Sequence, residues 1–129
     1  MIRLCLAIFA VCFLVTGAYI FLAPETFYRL TPGVSDMGPY NFHFSRDVSL
    51  TFLACGGALA YGVWCQNKAV MVFGAAWPFL HALFHLWIWM HRGFPFDQIW
   101  LVDTLGVILP GIFALGLTLK FKAKTEVAE

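Results

Sequence analysis

Residues 69–91 read AVMVFGAAWPFLHALFHLWIWMH, an apolar run without Asp, Glu, Lys or Arg that nevertheless carries His81, His85 and His91. A helix needs roughly 20 such residues, at about 1.5 Å of rise each, to cross a bilayer's hydrocarbon. This stretch therefore predicts a spanning helix with ionisable groups inside it. Three further stretches have the same character, at about residues 4–23, 47–65 and 99–119. Polar or proline-bearing breaks separate them: Pro24-Glu25, Gln66-Asn67-Lys68, and Arg92-Gly93-Phe94-Pro95-Phe96-Asp97.

Composition agrees. The 129 residues are 61% hydrophobic and 12% charged, with a mean hydropathy of +0.81. A soluble domain carries about 25% charged residues. A soluble globular protein, a disordered tail and a nucleic-acid binder are all excluded on this balance. The expected fold is all-α: one four-transmembrane-helix, up-down-up-down bundle in contact with the lipid bilayer. The first apolar stretch is too long for a signal-peptide core and has no small-x-small site before Pro24, so it reads as a retained span.

Basic residues set the expected orientation. With cytoplasmic N- and C-termini, Arg3, Lys68, Lys120, Lys122 and Lys124 lie inside, which includes every lysine. Arg29, Arg46 and Arg92 lie outside with Glu25, Asp36, Asp47 and Asp97. The compartment expected is a cytoplasmic (inner) membrane. Aromatic residues crowd the proposed outer boundary, among them Phe27, Tyr28, Tyr40, Trp89, Phe94, Phe96 and Trp100, as interfacial rings do. The long outer connection, residues 24–46, contains the turn signals Pro32-Gly33 and Gly38-Pro39, and its 24–30 stretch suits a short interfacial helix. Cys5, Cys12, Cys55 and Cys65 all fall in or at the ends of spans without a Cys-x-x-Cys pair, which argues against a disulfide framework or a structural zinc site.

Ionisable side chains in hydrocarbon are costly, by about 2.5–3.5 kcal/mol for a central Asp, and usually face the bundle interior. His81, His85 and Asp103 are such residues. From the helical rise, His85 lies about 9 Å, His81 about 15 Å and Asp103 about 7 Å below the outer boundary. Asp47 stands at the entrance, with His43 and Arg46 beside it, so these groups share one slab of the membrane. His81 and His85, at i,i+4, fall on one helix face. The second span presents Asp47, Thr51, Ala54, Ala58 and Gly62 in a row, and the fourth presents Asp103, Gly106 and Pro110, where Pro110 should kink the helix. Arg46 and Asp47 are expected to form an interfacial ion pair.

Three uses of this cluster remain open. His43, Asp47, His81, His85 and Asp103 are the candidate cofactor-binding residues. Within them, His81, His85 and Asp103 have the donor types for a divalent transition metal. A quinone-like molecule suits the same groups, with Trp77, Phe84, Trp87 and Trp89 as aromatic walls and a His/Asp pair to move a proton. In the third reading the polar groups only fix helix packing in a non-catalytic subunit or assembly factor. Two axial haem ligands are not available from His81 and His85, which share one helix. Gly56-Gly57 permits a homo-oligomer contact.

The succession Pro24-Glu25-x-Phe27-Tyr28, Gly38-Pro39-Tyr40-Asn41-x-His43-x-x-Arg46-Asp47 and His81-x-x-x-His85 resembles small bacterial four-span membrane proteins similar in topology to the DoxX-like group. The resemblance implies a four-helix bundle and an accessory role beside a membrane oxidoreductase in quinone-linked or redox chemistry. It assigns no catalytic residue. The glycine-rich first span associated with that group is absent here, where only Gly17 occurs.

Overall fold

The computed structural model describes residues 1–122 of the chain. Among these the ordered elements are helical: α1 (Ile2–Leu22), α2 (Pro24–Leu30), α3 (Phe42–Cys65), α4 (Lys68–His91) and α5 (Gln98–Lys120). A short 3-10 turn, Ser35–Met37, lies between α2 and α3. All but α2 are long and apolar enough to cross a membrane. Lys124, counted above with the inner basic residues, lies outside the described residues.

Local chemistry explains the helix ends. Asn41 caps α3 by accepting from the Phe44 amide at 3.0 Å, so α3 begins five residues earlier than the apolar pattern predicts. His43, Arg46 and Asp47 are thus helical. Gln66 closes α3 in the left-handed region at φ 53, and Asn67 opens α4 by accepting from Val70 N–H at 3.2 Å. Asp97 caps α5 through the Trp100 amide at 2.9 Å. These side chains satisfy amides that a helix start leaves unpaired. Pro24 starts α2, where its missing N–H costs nothing.

Outward surfaces are apolar. Leu4 on α1, Phe73 and Leu80 on α4, and Leu105 on α5 are each at least 60% exposed. In lipid the burial of apolar surface gives helices little reason to associate, and close packing at small residues takes over. The structure shows this at successive interfaces. A Cβ on Gly17 of α1 would lie 2.9 Å from Leu53 N and Ser49 O of α3. One on Gly74 of α4 would lie 2.6 Å from Leu59 N of α3. On Gly111 of α5 it would collide with the Pro78 carbonyl oxygen of α4. Pro78 sits inside α4 without breaking it.

The contacts also run in opposite sequence order between neighbours. Gly17 meets residues 49–53 while Gly56 meets Leu14, and Gly62 meets Met71 while Gly74 meets Leu59. On α4 and α5, Pro78 meets Gly111, and the Lys68 ammonium donates to the Leu119 carbonyl at 2.6 Å. That last bond satisfies a carbonyl at the end of α5. Leu6, Ala10, Leu59, Met71, Ala114 and Phe121 belong to one buried cluster joining α1, α3, α4 and the end of α5.

Two sequence expectations about small faces are corrected. Of the row Asp47, Thr51, Ala54, Ala58 and Gly62, only Gly62 is buried; the packed face of α3 runs through Ser49, Phe52, Cys55, Gly56, Leu59 and Val63. Gly56 is used within the chain, against α1, leaving Gly57 open. Pro110 is accommodated by a π turn over Thr104–Ile108, in which Leu109 N–H bonds to Thr104 O. Proline has no amide to close the ordinary ladder onto Gly106, and a widened turn absorbs the mismatch.

Two outcomes follow from this packing. Gly111→Leu should lower the detergent unfolding midpoint strongly, by about 1–3 kcal/mol or more of overpacking, while Gly106→Ala, in open space, should leave it within error. At the α4–α5 turn, the Arg92 guanidinium and then the Trp100 amide hold the Asp97 carboxyl below the ordinary carboxylate range. Its folded pKa is depressed, so its stabilisation is complete above about pH 4 and disappears as pH falls through the lower folded value. Corrected for the intrinsic exchange rate at each pH, protection of the first amides of α5 should fall on acidification through that window in the parent chain. In Asp97→Asn the corrected protection should change much less with pH.

Candidate functional site

The i,i+4 spacing of His81 and His85 on α4 places their rings 4.6 Å apart, edge to face at 75°. Asp103 comes from the first turns of α5. Its Oδ2 lies 3.0 Å from Nδ1 of His85, and the two side chains are only 20% (His85) and 13% (Asp103) exposed. The contact is at ion-pair distance but lacks hydrogen-bond alignment, and His85 Nδ1 is fully buried without another partner. A buried imidazole and carboxylate therefore face each other across the α4–α5 interface. His81 stands one turn further along α4.

Aromatic rings hold His81. Its imidazole stacks on Trp77 at 4.7 Å and 13°. Phe52, from the packed face of α3, meets both Trp77 and His81 edge-on, at 5.0 and 6.1 Å. Phe84 meets His85 edge-on at 6.2 Å and is itself half exposed. Three helices thus build the site. Trp87 pairs with His91 at 3.9 Å, and Trp89 stacks on Trp100 at 4.0 Å in a separate aromatic group at the α4–α5 turn. Trp87 also stacks on Phe84, at 5.8 Å and 13°, and so reaches the cluster only through that ring. Among the described residues Trp89 makes no ring contact with His81 or His85.

His43 and Asp47 occupy the start of α3 and pair with each other at 3.4 Å, with side chains 86% and 60% exposed. The structure joins His81, His85 and Asp103 and leaves His43–Asp47 as a second, exposed pair. The expected Arg46–Asp47 ion pair does not form: Asp47 turns to His43, and the Arg46 guanidinium turns to aromatic rings. At i,i+1 the two side chains leave the helix in different directions, so adjacency does not favour pairing. Among the described residues no group of three or more His, Cys, Asp or Glu side chains is arranged to hold a metal ion.

Two participants escaped the sequence reading. Phe52 is an ordinary apolar residue whose role depends on the rotation of α3. Thr104, next to Asp103, carries a buried Oγ1 without a partner, and its position at the start of the π turn could have drawn notice through Pro110. Shallow grooves elsewhere run along α1, one between Leu4, Ala7, Ala60 and Val63 and the other beside Ile8 and Val11. Both lie towards the N-terminal end of α1, away from the histidines.

The arrangement has clear chemical capacity. A carboxylate beside one imidazole orients it, and a second imidazole within van der Waals reach extends the path for a proton. The unpartnered Nδ1 of His85 leaves bonding capacity for a small polar group. Comparison with protein-family models, with curated proteins and with solved structures finds no match for this chain.

Proposed function

We propose that the chain is a multi-pass protein of the bacterial inner membrane, an up-down-up-down bundle with both termini in the cytoplasm, whose His81–His85–Asp103 cluster binds a quinone-like small molecule for a redox-linked process. The reversed order of contacts between neighbouring helices supports the topology, and the grouping of lysines with the termini supports the orientation. The DoxX-like layout and a membrane oxidoreductase as partner belong to the same proposal. So does a homo-oligomer, for which Gly57 still offers an open small face.

The observation that carries the reading is the buried Asp103–His85 contact beside His81. A carboxylate at the centre of a span costs about 2.5–3.5 kcal/mol and less at the shallower depth proposed for Asp103, while a polar contact between membrane helices returns on average about 0.6 kcal/mol. Packing alone also gives no reason for the unaligned, unpartnered Nδ1 of His85. A ligand carbonyl or hydroxyl would use the orphaned polar atoms, and Trp77 and Phe52 supply flat apolar walls. In this scheme Asp103 orients His85, and the imidazoles hold the ligand oxygen and exchange its proton. His43 and Asp47 would act at the entrance. The metal-bound alternative has less support, because the three donors do not form a ligand group and His81 is held against Trp77.

A short-chain benzoquinone titrated into the detergent-solubilised full chain should quench tryptophan emission saturably, since Trp77 stacks on His81. Asp103→Asn and His81→Gln should weaken that binding by about tenfold or more, the scale of a lost charge-assisted hydrogen bond, while helicity and unfolding midpoint hold. Identical quenching in parent and variants would overturn the quinone reading. Loss of fold in Asp103→Asn together with full stability of a His85→Leu/Asp103→Leu double variant would assign the cluster to packing. Stoichiometric metal in freshly purified protein would restore the metal alternative.

A further inference from the structure

Arg46 lies in the second turn of α3. Its guanidinium carbon sits 4.1 Å from the ring centroid of Phe21, at the end of α1, and 4.8 Å from that of Phe42. Nε is buried and without a hydrogen-bond partner. The ion pairs among the described residues are Arg29–Glu25, His43–Asp47, His85–Asp103 and Arg92–Asp97, so Arg46 has no carboxylate. An arginine stays charged at every accessible pH. Here the charge is oriented by two ring faces while its in-plane N–H donors are not taken up by protein acceptors.

That combination selects a ligand. Ring faces hold the cation through the π quadrupole, worth about 0.5–1 kcal/mol at exposed sites. They cannot satisfy N–H groups. With Nε closed off, the donors left open are those of the two Nη groups, and such a planar fork matches an oxyanion with two adjacent oxygens, such as a phosphate. The exposed carboxylate of Asp47, already beside His43, would repel a second anion only across the high-dielectric boundary. We infer that Arg46, cradled by Phe21 and Phe42, is a binding site for a phosphate oxyanion, supplied either by a phospholipid headgroup or by free phosphate. The inference stands apart from the histidine cluster and survives or fails independently of it.

The test uses the full chain in neutral detergent and native mass spectrometry. Probes are dihexanoyl phosphatidylglycerol, inorganic phosphate, and dihexanoyl glycerol, which lacks the phosphate. The parent chain should retain the phospholipid and not the diacylglycerol, and Arg46→Gln should weaken retention by about tenfold or more. Saturable binding of inorganic phosphate, lost in the same variant, would identify free anion as the source; phospholipid binding without it would identify the headgroup. Arg46→Lys keeps the charge but not the fork, and Phe42→Leu keeps the fork but removes one ring. Both should bind the phospholipid less tightly with unchanged helicity, and they carry the test should Arg46→Gln not fold. No phospholipid binding by the parent, retention undiminished in the variants, or equal retention of the diacylglycerol would overturn the assignment.

Discussion

Backbone-to-backbone approach at small residues is the constraint on which the rest of this molecule depends. A helix in lipid is solvated as well by acyl chains as by another helix's leucines, so association rests on dispersion contacts that only close approach supplies. Gly17, Gly56, Gly74 and Gly111 each remove a side chain where a neighbour's main chain would otherwise be struck. Gly17 and Gly56 join α1 to α3, Gly74 with Gly62 joins α3 to α4, and Gly111 joins α4 to α5. The apolar residues between them can then remain large and face outward, as Leu4, Phe73 and Leu105 do.

The polar cluster inherits its geometry from the last of these contacts. Gly111 seats α5 against the Pro78 carbonyl and the Ala82 methyl of α4. From there α5 runs back over the π turn of Thr104–Ile108 and delivers Asp103 opposite His85. A π turn carries one extra residue, so it rotates whatever follows or precedes it around the helix axis relative to a regular ladder. Pro110 and Gly111 are neighbours in sequence and act together: the first removes an amide and calls for the widened turn, the second sets the distance at which the redirected helix lies. On α4, Pro78 offers its carbonyl at that contact and Trp77 offers its ring to His81. One short crossing thus serves both packing and site.

Much of this was legible from residue order. Length and hydropathy locate the spans because the bilayer imposes them, and the i,i+4 spacing of His81 and His85 places both on a single face whatever surrounds them. Counting along the spans puts Asp103 near His85, and the two side chains do meet, at 3.0 Å. The failures share a cause. In a water-soluble helix, polarity distinguishes inside from outside; here both sides are apolar, and the row Asp47, Thr51, Ala54, Ala58 and Gly62 looks as suitable for packing as the row through Gly56 and Leu59 that is used. Helix rotation about its own axis is therefore hidden, and with it the role of Phe52 and the fate of Arg46. The start of α3 was missed for a different reason. Asn41 ends a connection full of turn residues, and its capping bond to Phe44 lies outside the hydrophobic pattern entirely.

The distribution of unsatisfied polar atoms separates packing from function more sharply than hydrophobicity does. Among the described residues, Arg46 Nε, His85 Nδ1, Thr104 Oγ1 and Thr118 Oγ1 are buried without hydrogen-bond partners. Membrane interiors lack water to answer such groups, and each unanswered one costs several kcal/mol. A threonine hydroxyl in a helix has an easy remedy in the carbonyl one turn back, as Thr51 shows with Asp47 O at 2.8 Å. An imidazole can do the same, as His91 Nδ1 does against the Trp87 carbonyl at 2.9 Å, but His85 Nδ1 is turned to Asp103 instead, and the Arg46 guanidinium is turned to rings. His85 and Arg46 are also the two sites where a protein partner is present but misdirected: a carboxylate near the imidazole without alignment, and rings beside the guanidinium without lone pairs. Side chains selected only to join helices would be expected to close these bonds, because closing them is the source of their stabilisation. On the ligand readings proposed above, His85 and Arg46 are the two side chains whose bonding capacity an incoming oxygen would use.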